Sequence, residues 1–145
     1  MKRIIGIICG ILTAVLMVSP ASTLSVSLSD QNALAQEILG SGITISNVTY
    51  TGASVASGTF TDGMSSGIGM EAGIILTSGN INNAVGPNNS DSITGDNGVS
   101  GDSDLDGLIP GYSTHDATLL EFDFESAGGD LFFNYVFASD EYNEY

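Results

Sequence analysis

Three aspartates at alternate positions are the residues of this chain whose spacing most clearly suggests chemistry. Asp102, Asp104 and Asp106 precede Gly107, and together they fit the first half of an EF-hand calcium loop, D-x-D-x-D-G. Carboxylates at this spacing can converge on one cation if a glycine lets the backbone turn sharply, and calcium takes about six to eight oxygen ligands. The spacing therefore predicts that calcium binds in this loop.

The second half of an EF-hand is missing, so the predicted site is a generic acidic loop. An EF-hand needs a bidentate Glu at about the twelfth loop position, where counting from Asp102 reaches Ser113. The alternative is a metal-free loop of Asx turns, because Asp, Asn and Gly form turns unaided. Candidate additional ligands are Asp96, Asp91, Asn97 and a backbone carbonyl oxygen.

A second acidic cluster follows the apolar run Leu131–Ala138. Asp140 and Glu141, with Glu144 nearby, would lie at the end of a buried strand, where rigid carboxylates can hold a cation. Charges at such a position equally serve to prevent strand-to-strand aggregation. Asp140 and Glu141 are therefore weaker candidate metal ligands than the aspartates of the first cluster.

A nucleophile motif is present but lacks the expected surroundings. Residues 63–67 match G-x-S-x-G, with Ser65 as the nucleophile and His115 as the available base. That motif needs a strand leading in and a helix leading out, and the glycines after Ser65 disfavour a helix. We expect no enzyme, and a hydrolase using Ser65 and His115 is the weakest alternative.

The distribution of charge predicts export. Lys2 and Arg3 are the only basic residues besides His115, and the apolar run Ile4–Val18 follows them, as in a secretory signal peptide cleaved after Ala21. That run is too short for a membrane span, which needs about 20 apolar residues. The 17 acids all follow residue 21, so residues 22–145 carry a formal charge of −17. This charge repels nucleic acid and favours divalent cations as partners.

The elements that must position these residues are mostly strands. A long polar loop at 80–111 carries the first acidic cluster, and like charges at Glu121, Asp123 and Glu125 are interpreted as one solvated strand face. The predicted elements are a helix from Ser29 or Asp30 to Leu39, strands at 43–50, 52–60, 73–77 and 120–125, and a central strand Leu131–Ala138 that forms a hairpin with the strand before it.

These elements predict an all-β, antiparallel β-sandwich of jelly-roll-like character with one short N-terminal helix. The expected organisation is a signal peptide (1–21), an exposed leader (22–33) and one β domain (34–145). Leu105, a single Leu between aspartates, is expected to anchor the loop on the core. Because the chain ends directly after its central strand, we expect it to be an N-terminal fragment of a longer protein.

Several segments resemble one known family. "QEILGSGITISNVTYTG", "SGTFTDG", "GIILTSGNI", "GDSDLDGLIPG", "LLEFDF" and "YVFASDEYNEY" occur in the order found in the choice-of-anchor L domain. The resemblance implies a secreted or cell-surface module of unassigned biochemical activity. A second hypothesis is an adhesin or carbohydrate-binding module, with Tyr112, Tyr142 and Tyr145 as stacking groups and surface glycans or other exported proteins as partners.

Overall fold

Two small antiparallel sheets and short helices make up the fold. The computed structural model describes residues 23–87, 90, 93, 95–129 and 132–139, so the predicted signal peptide lies outside the described residues. In chain order the elements are β1 (Ser25–Leu28), α1 (Gln31–Ile38), β2 (Ile43–Thr51), β3 (Ser57–Thr61), β4 (Gly73–Leu76), a 3₁₀ helix (Ile81–Val85), α2 (Ser103–Asp106) and β5 (Leu119–Ser126).

The sheets contain three and two strands. The first has the order β1-β3-β4, and the second pairs β2 with β5. In the second sheet Ile45 lies opposite Phe124, and the register shifts between Ser46 and Thr49, where Asn47 adopts a φ of 52°. The mostly-β, antiparallel prediction is confirmed at this level, although the described chain has two α-helices instead of one.

Helix α1 begins where the sequence predicts. The Asp30 carboxylate accepts hydrogen bonds from the backbone N–H groups of Asn32 (2.9 Å) and Ala33 (3.1 Å), which makes Asp30 the N-cap. Leu34 and Ala35 are fully buried, and the helix contacts strands of both sheets. The cap therefore fixes the start of the helix whose buried residues Leu34 and Ala35 contribute to the core.

The core is small and depends on a close approach at Gly58. A Cβ at this position of β3 would overlap the carbonyl oxygen of Ser27 in β1 and contact Ile81 of the 3₁₀ helix. Only glycine leaves room for both neighbours. The buried apolar residues are Leu24, Leu34, Ala35, Ala56, Phe60 and Ile81.

Two expectations need correction. The segment predicted as an exposed leader contains β1, whose Val26 lies opposite Phe60 of β3, and Leu24 just before it is buried. The predicted central strand Leu131–Ala138 is wrong for the part that the structure describes, because residues 132–139 form no strand and their side chains are exposed. An apolar run is not sufficient for a strand, since its backbone also needs hydrogen-bonding partners.

Candidate functional site

The acidic loop, residues 96–116, is closed at its base by backbone pairing. Ser100 and His115 form an isolated antiparallel bridge. The Asp116 N–H donates to the Val99 carbonyl oxygen (2.9 Å), and the Ala117 N–H donates to that of Ser100 (3.2 Å). The two ends of the loop therefore lie next to each other.

The Asp116 carboxylate also holds the two ends of the acidic loop together. Its Oδ1 accepts the N–H of Val99 (2.8 Å), and its Oδ2 accepts the N–H of Asn97 (3.1 Å). Asp116 has a φ of 51°, a left-handed conformation that Asp tolerates better than most residues. The sequence offered no local signal for this role, because 17 and 19 residues separate the partners.

Two neighbouring side chains bind the start of the loop. The Asn97 amide donates to the carbonyl oxygens of Ser78 and Gly79, both at 3.0 Å. Asp96, a predicted calcium ligand, accepts the N–H of Gly98 at 2.8 Å and so forms an Asx turn. Both residues thus shape the backbone at the start of the loop.

Asp102 begins a one-turn helix. Its Oδ1 accepts the N–H groups of Asp104 (3.0 Å) and Leu105 (3.1 Å), so Asp102 is the N-cap of α2. Gly107 has φ −61° and ψ −23°, a right-handed helical conformation, so the sharp turn expected at this glycine is absent. The D-x-D-x-D segment follows a helical turn here, unlike an EF-hand loop.

Asp106 is bound to Thr114, a residue that the sequence did not mark as functional. The backbone N–H and the hydroxyl of Thr114 both donate to Asp106 Oδ1, the hydroxyl at 2.8 Å. The backbone hydrogen bond is the main cause that holds the pKa of Asp106 below its usual value, followed by the hydroxyl; burial opposes this shift and the charge of His115 adds to it. Thr114 therefore stabilises the ionised carboxylate.

The predicted metal ligands that the structure describes do not gather into a group. Asp104 is exposed on α2, the helical turn that Asp102 caps. Over the described ranges, no group of three or more His, Cys, Asp or Glu side chains is arranged to hold a metal ion. Asp140 and Glu141 lie outside the described residues. The loop carboxylates Asp102 and Asp106 each use one oxygen within the protein.

Leu105 does not anchor the loop, contrary to the expectation. Its side chain is 46% exposed on α2. The loop is held instead by the polar contacts of Asp116, Asp106 and Asn97. Hydrogen bonds replace the hydrophobic anchor that the sequence suggested.

Ser65 lies in a turn between β3 and β4. Its hydroxyl donates to the carbonyl oxygen of Asp62 (2.9 Å), and turns follow it where a nucleophile elbow would have a helix. Ser65 and Ser66 border an open cleft of about 430 Å³ beside Leu24 and Pro87. His115, the proposed base, lies in the bridge to Ser100 and is not among the residues that line this cleft.

The sequence matches one family over residues 22–145, which include both sheets and the acidic loop. The chain belongs to the choice-of-anchor L domain family. Membership in this family implies that the protein is exported. No curated protein and no solved structure matches the chain significantly.

The choice-of-anchor L match places the acidic loop inside the family domain. The segment that carried the resemblance at residues 101–111 contains α2 and the turns after it. The Val136–Tyr145 segment is described only as far as residue 139. Among the helices that the structure describes, none is long and apolar enough to cross a membrane.

Proposed function

We propose that this choice-of-anchor L chain is a non-enzymatic module of the cell surface or extracellular matrix that presents its acidic loop in a fixed shape. The loop geometry carries the proposal. Asp96, Asp102, Asp106 and Asp116 each accept at least one backbone N–H within the loop. Carboxylates used in this way stabilise a binding surface, and loops held on a rigid scaffold commonly carry binding functions.

Location is tested on intact cells of the producing organism. Antibody to the chain should label unbroken cells or their extracellular material, and external protease should remove that signal. A cytoplasmic protein serves as the control that must stay protected. Detection only after cell lysis would contradict the surface assignment.

The absence of catalysis is tested with a panel of ester substrates. We expect no hydrolysis, because the Ser65 hydroxyl donates to a backbone carbonyl oxygen within its own turn. Ser41→Ala, at an exposed position, is the matched control. Turnover that both Ser65→Ala and His115→Gln abolish, and that Ser41→Ala leaves intact, would overturn the non-enzymatic assignment.

Calcium in the acidic loop remains part of the proposal, and the sequence spacing is its support. The Asp104 carboxylate and the second oxygens of Asp102 and Asp106 are the groups that would hold the ion. A ligand that binds only the folded state stabilises it, by about 2.7 kcal/mol at a concentration 100 times Kd.

The calcium experiment is thermal unfolding of the exported chain, residues 22–145. Unfolding is measured in millimolar calcium, in excess chelator, and in magnesium at matched ionic strength. A rise in Tm with calcium alone, lost in Asp104→Asn but kept in Glu37→Gln, is the expected result. Equal Tm values in all three solutions would reject calcium as a ligand.

A carbohydrate-binding role is a second candidate because Tyr112 is largely exposed and could stack on a sugar ring. Tyr142 and Tyr145 lie outside the described residues. Binding on a glycan array that Tyr112→Ala removes would support this role, and an array without any binder would reject it.

The finer fold also belongs to the proposal. We expect the two sheets to form a jelly-roll-like sandwich, and the contact of α1 with strands of both sheets supports their close association. Long-range nuclear Overhauser effects between inward-facing side chains of the two sheets would test it, and their absence would contradict it.

A further inference from the structure

The acidic loop exposes several large apolar side chains, which together are called its apolar face. We call residues 102–114 the finger. Four of its large apolar side chains are exposed: Leu105 (46%), Leu108 (77%), Ile109 (40%) and Tyr112 (78%). Leu105, Leu108 and Ile109 are spaced i, i+3 and i+4, as on one side of helical turns, and Tyr112 follows the turn at Pro110-Gly111. These side chains therefore contribute little to the core of the domain.

Backbone hydrogen bonds hold the finger in helical turns after α2 ends. The N–H of Leu108 donates to the carbonyl oxygen of Leu105 (2.9 Å), and that of Ile109 donates to Asp106 (3.2 Å). The N–H of Tyr112 then donates to Ile109 (3.0 Å) across Pro110-Gly111, where Gly111 has a φ of 93°. Pro followed by a left-handed Gly is typical of a type II turn.

Thr114 closes the finger at its base. The Asp102 N–H donates to the Thr114 hydroxyl oxygen (2.8 Å), while Thr114 donates to Asp106. Asp102 also caps α2. The two ends of the finger are therefore joined, as in a compact loop with close ends. A surface whose conformation is fixed before binding loses less conformational entropy when it binds.

The charge around the apolar face restricts what can cover it. Asp102, Asp104 and Asp106 lie on the same short segment, and residues 4–145 contain no Lys or Arg. A second copy of this chain would therefore bring like charge to the contact. Anionic lipid surfaces would be repelled for the same reason. A partner with Lys or Arg around an apolar groove would be complementary in both charge and polarity.

We infer that the finger is a docking element for a protein partner that presents an apolar groove bordered by Lys or Arg. Leu108, Ile109 and Tyr112 would enter the groove, and Asp102, Asp104 and Asp106, when they hold no calcium, would face its basic rim. Two aliphatic side chains beside Tyr112 favour a protein groove over a sugar ring, which stacks on aromatic faces. This inference rests on the proposed function, since it names the partner class of the surface that the module presents.

The probe is a designed two-helix hairpin whose groove is lined with Leu and rimmed with Lys. One control hairpin has the same groove with a Glu rim, and another has the Lys rim with a Ser-lined groove. Binding of each labelled hairpin to the exported chain is measured by fluorescence anisotropy at low and high salt. We expect the Leu-groove, Lys-rim hairpin to bind at least about tenfold more tightly than either control.

The decisive variants remove the apolar face without touching the base of the finger. Leu108→Ser with Tyr112→Ser should weaken binding at least about tenfold, because buried apolar anchors dominate such contacts. Leu28→Ser with Met64→Ser, exposed apolar positions elsewhere, should leave it unchanged. Phe132→Ser with Phe137→Ser tests the other exposed apolar segment and should also leave it unchanged. Circular dichroism and Tm confirm that each variant folds.

Three results would overturn the inference. These are equal binding by the finger variant and the parent, loss of binding only in the Phe132/Phe137 variant, and finger-dependent partition into phosphatidylcholine vesicles without hairpin binding. Any of them with surface location intact would reject the docking role and leave the proposed function standing. A chain found inside cells would instead reject the proposed function.

Discussion

Aspartate side chains in this protein act mainly as acceptors for backbone N–H groups. Asp30 and Asp102 cap helices, Asp96 forms an Asx turn, and Asp116 bridges the N–H groups of Asn97 and Val99. Hydrogen bonds to a charged acceptor are stronger than neutral ones. These contacts explain how a loop rich in acids keeps a defined shape although residues 4–145 contain no Lys or Arg.

Asp106 should make the stability of the domain depend on pH. Because hydrogen bonds from Thr114 hold its folded pKa below the usual 3.8, ionised Asp106 stabilises the folded state above that value. This contribution is lost as the pH falls from about 3.8 through the lower folded pKa. Asp106→Asn should therefore lower the free energy of unfolding at pH 7, and the difference from the parent should shrink in acid.

The measurement is chemical denaturation of both chains between pH 7 and pH 2. Asp104→Asn is the matched control, because it removes an exposed carboxylate from the same turn. Equal decreases in the free energy of unfolding of the two variants at pH 7 would contradict the role of the Thr114 contact.

At the scale of elements, the strands whose side chains alternate were predictable. In β5, Glu121 and Asp123 are exposed while Leu120 and Phe122 are partly buried, as the period-two pattern indicates, but Phe124 departs from the pattern because it is exposed. Asp123 accepts a hydrogen bond from the Asn47 amide across the sheet (2.7 Å). Strand β1 was not predicted because its pattern is only four residues long, and its pairing with β3 is what defines it.

Gly58 should be the residue that decides whether β1 and the 3₁₀ helix can approach β3. Gly58→Ala places a methyl group against the Ser27 carbonyl oxygen, so the neighbouring backbone must move. Overpacking of this kind costs about 1–3 kcal/mol. Gly40→Ala, where nothing lies within 4 Å of the new Cβ, should have little effect. Urea unfolding of both variants tests this, and equal stabilities would contradict the close approach.

At the scale of the whole molecule, unbalanced negative charge opposes folding. Residues 22–145 contain 17 acids and no Lys or Arg, so few internal attractions offset the repulsion. The strand acids Glu121 and Glu125 illustrate this, because both are exposed on one strand. Their repulsion depends on screening by salt, since the Debye length is about 10 Å at 0.1 M.

Monovalent salt should therefore stabilise the exported chain at pH 7. Raising sodium chloride from low to high concentration should increase the free energy of unfolding by about 1 kcal/mol, or roughly 4 °C in Tm. Scanning calorimetry at several salt concentrations, repeated at acid pH where the carboxylates are protonated, provides the measurement and its control. A Tm that does not change with salt at pH 7 would show that the repulsion is already relieved in the native state.

The sequence by itself determined the features that depend on residues close together in the chain. These include the cap at Asp30, the exposed acids of β5 and the motifs of the choice-of-anchor L family, to which the match over residues 22–145 assigns the chain. Tertiary structure alone decided that Asp116 binds Asn97 and Val99, that Thr114 binds Asp106, and that Leu105 faces outward. Local patterns cannot specify such contacts, because they form only after a loop closes and brings distant backbone N–H groups to one carboxylate.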